Sequence, residues 1–321
     1  MIPMLQPSDK IVLFGGAGLV GQNLVVLLKD EGYANLVVVD KHKANLAILQ
    51  TLHPDVTAIE ADMAEPGAGP GAWEDCVAGA AAVVMLQAQI GGEIEGEFLR
   101  NNITSTERAL DACRRHAVPH IVHISSSVVN SMARDWYTET KRAQEKLVAD
   151  SGLSHVVLRP TLMFGWFDRK HLGWLSRFMQ RVPVFPIPGS GRYMRQPLFV
   201  QDFCAIILSC LKTRPNGGAY NITGRERIDY VDIIRTIKRT IRARALVLNI
   251  PYGLFWLMLK TYGLVDPNTP FTTKQLKALV TPDDFELIPW WDIFKVAPTP
   301  FEEAVRRTYG PGRYADVILD F

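Results

Sequence analysis

A glycine turn set between an apolar strand and a helix limits this chain more than any other feature. Residues 11–14, IVLF, form a short continuous apolar run, and NLVVLLKDEG further on carries its apolar residues on one helical face. Between them Gly15, Gly18 and Gly21 follow the spacing GxxGxxG. The first glycine permits a tight turn, the second lets backbone approach a pyrophosphate, and the third lets helix and strand pack closely. Phosphates at such a turn meet the positive end of the helix, in reach of the backbone of Leu19 and Val20. Glycines also end strands where no ligand binds, so the position after a strand and before a helix carries the reading.

Further strands follow in alternation with helices. NLVVVD ends at Asp40, TAIEAD at Asp62, and AAVVMLQAQ runs apolar to Gln87. ANLAILQTL, WEDCVAGA and NITSTERALDACRRH read as the helices between them, HIVHISSS as a fifth strand, and SHVVLRP as a sixth stopped by Pro160. This alternation predicts an α/β fold with a Rossmann-type, doubly wound parallel sheet. Beyond Gly165 the pattern fails, and VPVFPIPGSGRYMRQ reads as a loop. QDFCAIILSCLKT, AYNITG and YVDIIRTIKRTI then read as helix, strand and helix. Thr299 is expected to cap a helix that starts at Pro300 and stops at Gly310. The expected division is a dinucleotide-binding domain over 1–165, with elements returning from about 197–223, and a smaller mixed carboxy-terminal substrate lobe over 166–321.

Composition narrows the partners. With 321 residues and 48% apolar residues the chain can bury a full core. Lys and Arg number 35 against 33 Asp and Glu, a balance that gives no overall footprint for nucleic acid or an anionic membrane. A small-molecule partner is expected. Cysteines 76, 113, 204 and 210 show neither metal spacing nor a disulfide framework, so no metal and a reducing cytoplasm are expected. The start, MIPMLQPSDK, reads as a short lead-in without a signal peptide's apolar region. FCAIILSCL and IPYGLFWLML fall short of the roughly 20 residues that cross a bilayer. Both read as core, the second alternatively as a surface-lying or pocket-lining segment.

Asp40 lies 19 residues past Gly21, at the end of the second strand, where a carboxylate accepts hydrogen bonds from an adenosine ribose. That favours NAD, because a 2′-phosphate would meet like charge there; Lys41 and Lys43 keep NADP open. Asp62 and Met63, at the next strand end, are candidates to face adenine, with a helix cap as the alternative role for Asp62. Gln87 closes the fourth strand at the same cleft.

Ser125, Ser126 and Ser127 fall at the carboxyl end of the fifth strand, and Tyr137 and Lys141 stand one helical turn apart just after it. Alone, a Tyr and a Lys at this spacing describe an ordinary solvated helix. A phenol beside an ammonium and a positive nicotinamide ring is instead poised to take a proton from an alcohol while hydride leaves the same carbon.

The combination of GGAGLVG, Asp40, NNITSTERALDAC, VPHIVHISSS, YTETK, LRPTLMFG and RQPLFVQDFC resembles the extended short-chain dehydrogenase/reductase family, the NAD-dependent epimerases and dehydratases, over about residues 10–225. The resemblance implies bound NAD, Tyr137 as acid/base, Lys141 on the nicotinamide ribose, Ser127 beside the substrate, and Asn101 or Asn102 supporting them. It also implies Arg195, helped by Arg192, on the phosphates of a nucleotide sugar. A homodimer through the helices near 100–115 and 136–149 is plausible on the same ground.

Three departures qualify it. Only nine residues separate Ser127 from Tyr137, where relatives carry a longer loop. Leu162 stands where nucleotide-sugar enzymes commonly have an Asn. SSSVV lacks the Asp-Glu pair of sugar 4,6-dehydratases. Transient hydride transfer on a nucleotide sugar, by an epimerase or ketoreductase rather than a dehydratase, is therefore the first expectation. A dehydrogenase of a hydroxysteroid-like or other apolar alcohol is the second, with Leu162, the apolar 250–265 segment and Trp290-Trp291 leaning that way. A non-catalytic NAD(P)-binding accessory subunit is the third, and the presence of both Tyr137 and Lys141 argues against it.

Overall fold

The computed structural model describes residues 5–66, 73–132, 134–265, 276, 279–281 and 285–320. Its centre is a sheet of seven strands in which every neighbouring pair is parallel. These are β1 (Lys10–Phe14), β2 (Leu36–Asp40), β3 (Thr57–Glu60), β4 (Ala80–Met85), β5 (Ile121–Ile124), β6 (His155–Pro160) and, returning from later in the chain, Gly218–Ile222. With that returning strand called β11, the order is β11-β6-β5-β4-β1-β2-β3. The order reverses between β1 and β4, and the cleft outside the strands' carboxyl ends at such a switch is where ligands bind.

Both faces of the sheet are buried, which is why its strands read as unbroken apolar runs. Ile11 and Leu13 point into one cluster with Val38, Val84 and Val122, covered by α1 (Leu19–Asp30) and the helix Val200–Thr213. Val12 and Phe14 point to the opposite face, with Val83, Met85 and Ile121, under α4 (Ser105–Arg115) and α5 (Trp136–Ala149). Alternate residues of one strand thus serve two cores. Between β1 and α1 lies the glycine turn; α2 (Lys43–Leu52) follows β2.

Residues 165–196 are more regular than their sequence suggests. They contain α6 (His171–Arg181) and β8 (Val184–Pro188), the latter paired in parallel with β13 (Leu246–Ile250). Prolines 186 and 188 are tolerated because this pair is only two strands wide, so each strand keeps an open edge. With α8 (Tyr230–Thr240) and the helix Phe301–Tyr309 these elements enclose two further apolar clusters. Thr299 is not a helix cap: its N–H and Oγ1 both donate to Asp202, at 2.9 and 2.6 Å, and Pro300 takes the capping position instead.

The expectation of a buried core for 250–259 fails. The segment forms α9 (Tyr252–Val265), and Leu254, Leu257 and Met258 are each about half exposed, at 52, 51 and 49%. Trp290 does serve the core: it is 1% exposed, and its indole N–H donates to Thr223 O at 2.9 Å. No helix among the described residues is long and apolar enough to cross a membrane.

Candidate functional site

The glycine turn has the form that a dinucleotide needs. Gly15 holds φ +70°, and a Cβ there would lie 2.5 Å from the backbone of Gln87 on the neighbouring strand's exit. Gly21 packs so closely that a Cβ would stand 2.1 Å from Gly16 O. At Gly18 a Cβ would meet only Gly15 O, at 3.9 Å, so the turn is open on that side. Gly18 caps α1 with no side-chain hydrogen bond, leaving the first-turn N–H groups, Leu19 and Val20 included, for a ligand. These residues suit a pyrophosphate.

Asp40 braces the same turn. One carboxylate oxygen accepts from Ala17 N at 2.9 Å and the other from His42 N at 3.0 Å. Lys41 turns away to donate to Asn101 Oδ1 at 2.7 Å, and Lys43 faces Glu60 at 3.9 Å, so neither side chain is directed to neutralise Asp40. Asp62 is engaged structurally: it accepts from Ala64 N at 3.0 Å and pairs with Arg100 at 2.6 Å. Burial raises its pKa, but those two hydrogen bonds together with the charges of Lys41 and Arg100 hold the carboxyl below its ordinary value. An adenine amino group would compete with Arg100 there. Met63 is buried with Phe14 and Trp73 in the core. Gln87 is buried at the mouth of β4, with its Oε1 unpartnered among the described residues and its Nε2 3.5 Å from Thr106 Oγ1.

Ser126 and Tyr137 lie together just past β5, and Lys141 reaches back to the last residue of that strand. Asp135 caps α5 by accepting from Thr138 N at 2.9 Å, which fixes Tyr137 in the first turn. The Ser126 hydroxyl acts on the Tyr137 phenol, and Ser127 is buried in the adjoining short 3-10 turn Ser127–Asn130. Burial raises the pKa of Tyr137 against the lowering contact from Ser126, the opposite of what a neighbouring ammonium alone would do. Lys141 is 1% exposed, and its Nζ donates to Ile124 O at 2.9 Å. Burial lowers its pKa to about 7, with Glu145 acting to raise it.

Behind these groups stands a polar scaffold. Asn102 sits in a π-helical turn, Leu99–Thr104, and accepts from Gln89 N at 2.6 Å while donating to Thr140 Oγ1 at 2.9 Å. Gln144 donates to Asn102 O at 2.9 Å and to Thr106 Oγ1 at 2.8 Å. Asn102 therefore fastens the exit of β4 to α5. Glu145 makes a bidentate pair with Arg159, at 2.9 and 2.6 Å, and accepts from Ser125 Oγ. The sequence carried a signal for Glu145 that went unused: Tyr137, Lys141 and Glu145 recur every fourth residue along one helix face.

Arg195 lies on β9 (Met194–Arg195), its guanidinium donating to Leu279 O and lying 5.8 Å from the Tyr193 ring centre. Arg192 is exposed on the preceding turn. Leu162, just before Met163–Phe164, is 44% exposed. Among the described residues no cluster of His, Cys, Asp or Glu could hold a metal ion.

The family model described as "NAD dependent epimerase/dehydratase family" matches residues 11–223. Among curated relatives, 4-hydroxy-2-methyl-3-oxo-4-farnesyl-3,4-dihydroquinoline-1-oxide ketoreductase of Stigmatella aurantiaca is 26% identical over 261 residues, covering 74% of this chain and 75% of its own. The dTDP-glucose 4,6-dehydratase of an Actinoplanes species is 27% identical over 247 residues, covering 67% and 76%. Among solved structures, UDP-glucuronic acid 4-epimerase from Bacillus cereus in complex with NAD superposes with a TM-score of 0.69 at 20% identity, over 94% of this chain and 95% of that one. That likeness is one of fold.

Proposed function

The chain belongs to the NAD dependent epimerase/dehydratase family, and from that premise we propose that it transfers hydride between NAD and an alcohol or ketone carbon, with Tyr137 exchanging the proton on the oxygen. The observation that carries this reading is Tyr137 in the first turn of α5, its phenol under the influence of the Ser126 hydroxyl and one helical turn from the buried amine of Lys141. The backbone from Gly15 to Gly21 would hold the pyrophosphate, Asp40 the adenosine ribose and Lys141 the nicotinamide ribose. NAD bound in this cleft supplies the hydride acceptor or donor. Tyr137 receives the hydroxyl proton on oxidation and returns it on reduction, and a hydroxyl from Ser126 or Ser127 orients the substrate oxygen. Asp40, without a neutralising lysine directed at it, favours NAD over NADP.

For the substrate, the first reading is a nucleotide sugar undergoing epimerisation or ketoreduction, supported by Arg192 and Arg195 in the substrate lobe and by the sugar-nucleotide names of several relatives. A second reading, reduction of an apolar ketone, is favoured by Leu162, exposed where a phosphate-directed amide is expected, and by the ketoreductase relative. A cytoplasmic setting is part of the proposal, in keeping with four free cysteines.

The test begins with denaturing the purified protein and assaying the released dinucleotide. Thermal stabilisation by UDP-, GDP- or dTDP-sugars then supports the first substrate reading. Turnover of an apolar ketone with NADH supports the second. Tyr137→Phe should abolish either reaction while the variant still binds NAD; full turnover by that variant would remove the assigned proton donor.

A further inference from the structure

The overall charge balance conceals a concentration of positive charge beside the exposed apolar helix. From residue 233 to residue 265 there is no Asp or Glu, while Arg235, Lys238, Arg239, Arg242, Arg244 and Lys260 supply six positive charges in a chain whose net charge is +2. The remaining residues therefore carry a net −4. Arg235, Lys238, Arg239 and Arg242 line a shallow groove together with Leu246 and Val247, so the charges at the end of α8 adjoin β13 in space as well as in sequence. Two of them have exposed acidic partners, Asp232 for Arg235 at 3.3 Å and Glu302 for Arg239 at 3.0 Å, contacts of a kind that contribute little in water.

Exposed apolar residues run on in sequence from β13 into α9. Leu246 and Leu248 on β13 are 56 and 42% exposed, and Tyr252, Leu254, Trp256, Leu257 and Met258 on α9 are all exposed. Apolar residues ring this helix instead of forming one stripe, a pattern found where water is excluded. Fourteen residues span about 21 Å, short of the roughly 30 Å of a bilayer's hydrocarbon core, so α9 has the length to lie in an interface and not to cross it. Lys260 Nζ sits 5.0 Å from the Trp256 ring centre, pairing a cation with an amphipathic ring as at a headgroup level.

We infer that α9 and β13, flanked by Arg242 and Arg244, dock this protein on the surface of an anionic lipid bilayer. The charge decides between this occupant and a second copy of the chain. A two-fold contact centred on α9 would bring two like-charged clusters to one interface, whereas anionic headgroups complement them. The inference is independent of the substrate, although it would bring the active site to a bilayer that could hold an apolar one.

The experiment is co-sedimentation of the full chain with vesicles of phosphatidylcholine alone and of phosphatidylcholine containing phosphatidylglycerol, at low and high salt. Binding to the anionic vesicles, weakened by salt, is expected. Arg242→Gln with Arg244→Gln should weaken it about thirtyfold, from the typical contribution of each juxtamembrane cation. Leu254→Asp with Leu257→Asp should abolish it with an unchanged thermal melt; if that pair fails to fold, the arginine pair carries the test. No sedimentation with anionic vesicles overturns the inference, as does binding indifferent to both salt and the arginine pair. A doubling of mass in light scattering that Leu254→Asp with Leu257→Asp disperses overturns it too, assigning the face to a second copy.

Discussion

Of the three-serine run, the middle residue, Ser126, is the one whose hydroxyl acts on the Tyr137 phenol. Successive residues at the end of a strand point in different directions, so only one of these serines can meet the phenol in a given backbone path. Ser126 is also the contact that lowers the Tyr137 pKa against the rise imposed by burial. Ser126→Ala is therefore expected to cut kcat/KM by roughly 10- to 100-fold and to move the pH profile's Tyr-dependent limb upward, with Ser127→Ala milder. Steady-state kinetics against pH on both variants decides; the reverse order of losses would return the role to Ser127.

Glu145 ties α5 to the sheet. Its carboxylate receives both Arg159 bonds and the Ser125 hydroxyl, and the paired side chains are only 15 and 22% exposed. Removing one partner strands the other charge, so Glu145→Ala should cost roughly 3 kcal/mol of stability in urea unfolding. The same substitution removes the influence that raises the Lys141 pKa, so the lysine should lose its proton at lower pH than it does in the intact protein. Labelling of Lys141 as a function of pH reports that shift, and an unshifted profile would separate Glu145 from the lysine.

The glycine turn and its bracing acid were legible in the sequence because their parts are local: a strand, three glycines, a helix and the acid that ends the next strand. The Tyr137–Lys141 spacing was legible for the same reason. What sequence missed was decided by tertiary context. VFPIP reads as a loop from its prolines, yet it pairs with 246–250 because a two-stranded sheet leaves room for them. The helical spacing of Leu172, Leu175 and Met179 in α6 is hidden among Trp, Phe and Gly. An apolar run such as 252–258 looks the same whether neighbours cover it or not, so its exposure had no signature. Asp62 was balanced between adenine and a structural turn, and Arg100, distant in sequence, pairs with it in the turn.

Asp40 gives a selectivity prediction. Its two oxygens accept from Ala17 N and His42 N, and the side chain is partly exposed at the cleft. Asp40→Ala should weaken NAD roughly tenfold by loss of the ribose acceptor, and should weaken NADP less, because the repulsion of a 2′-phosphate is lost together with that acceptor. Calorimetric titration with both dinucleotides checks it. An unchanged NAD:NADP ratio would mean that this carboxylate does not face the ribose.

Asp168 should govern part of the protein's pH dependence without touching the reaction. It is 6% exposed, and burial raises its pKa to about 7 against the lowering effects of Gly173 N, which donates to its Oδ2 at 2.9 Å, and of Arg177. In the unfolded chain the same carboxyl ionises near its ordinary value, about 4. Between about pH 4 and 7 the folded state therefore holds a proton that the unfolded state has lost, so stability falls as pH rises through this window and stays lower above it. Asp168→Asn keeps an oxygen to accept from Gly173 N and removes the titration. The wild type should lose on the order of 2–4 kcal/mol between pH 5 and pH 8 relative to the Asn variant, from the size of the shift. Denaturant unfolding of both proteins across that range measures the difference; parallel pH curves would show that Asp168 stays ionised in the folded protein, paired by Arg177 more strongly than burial opposes it.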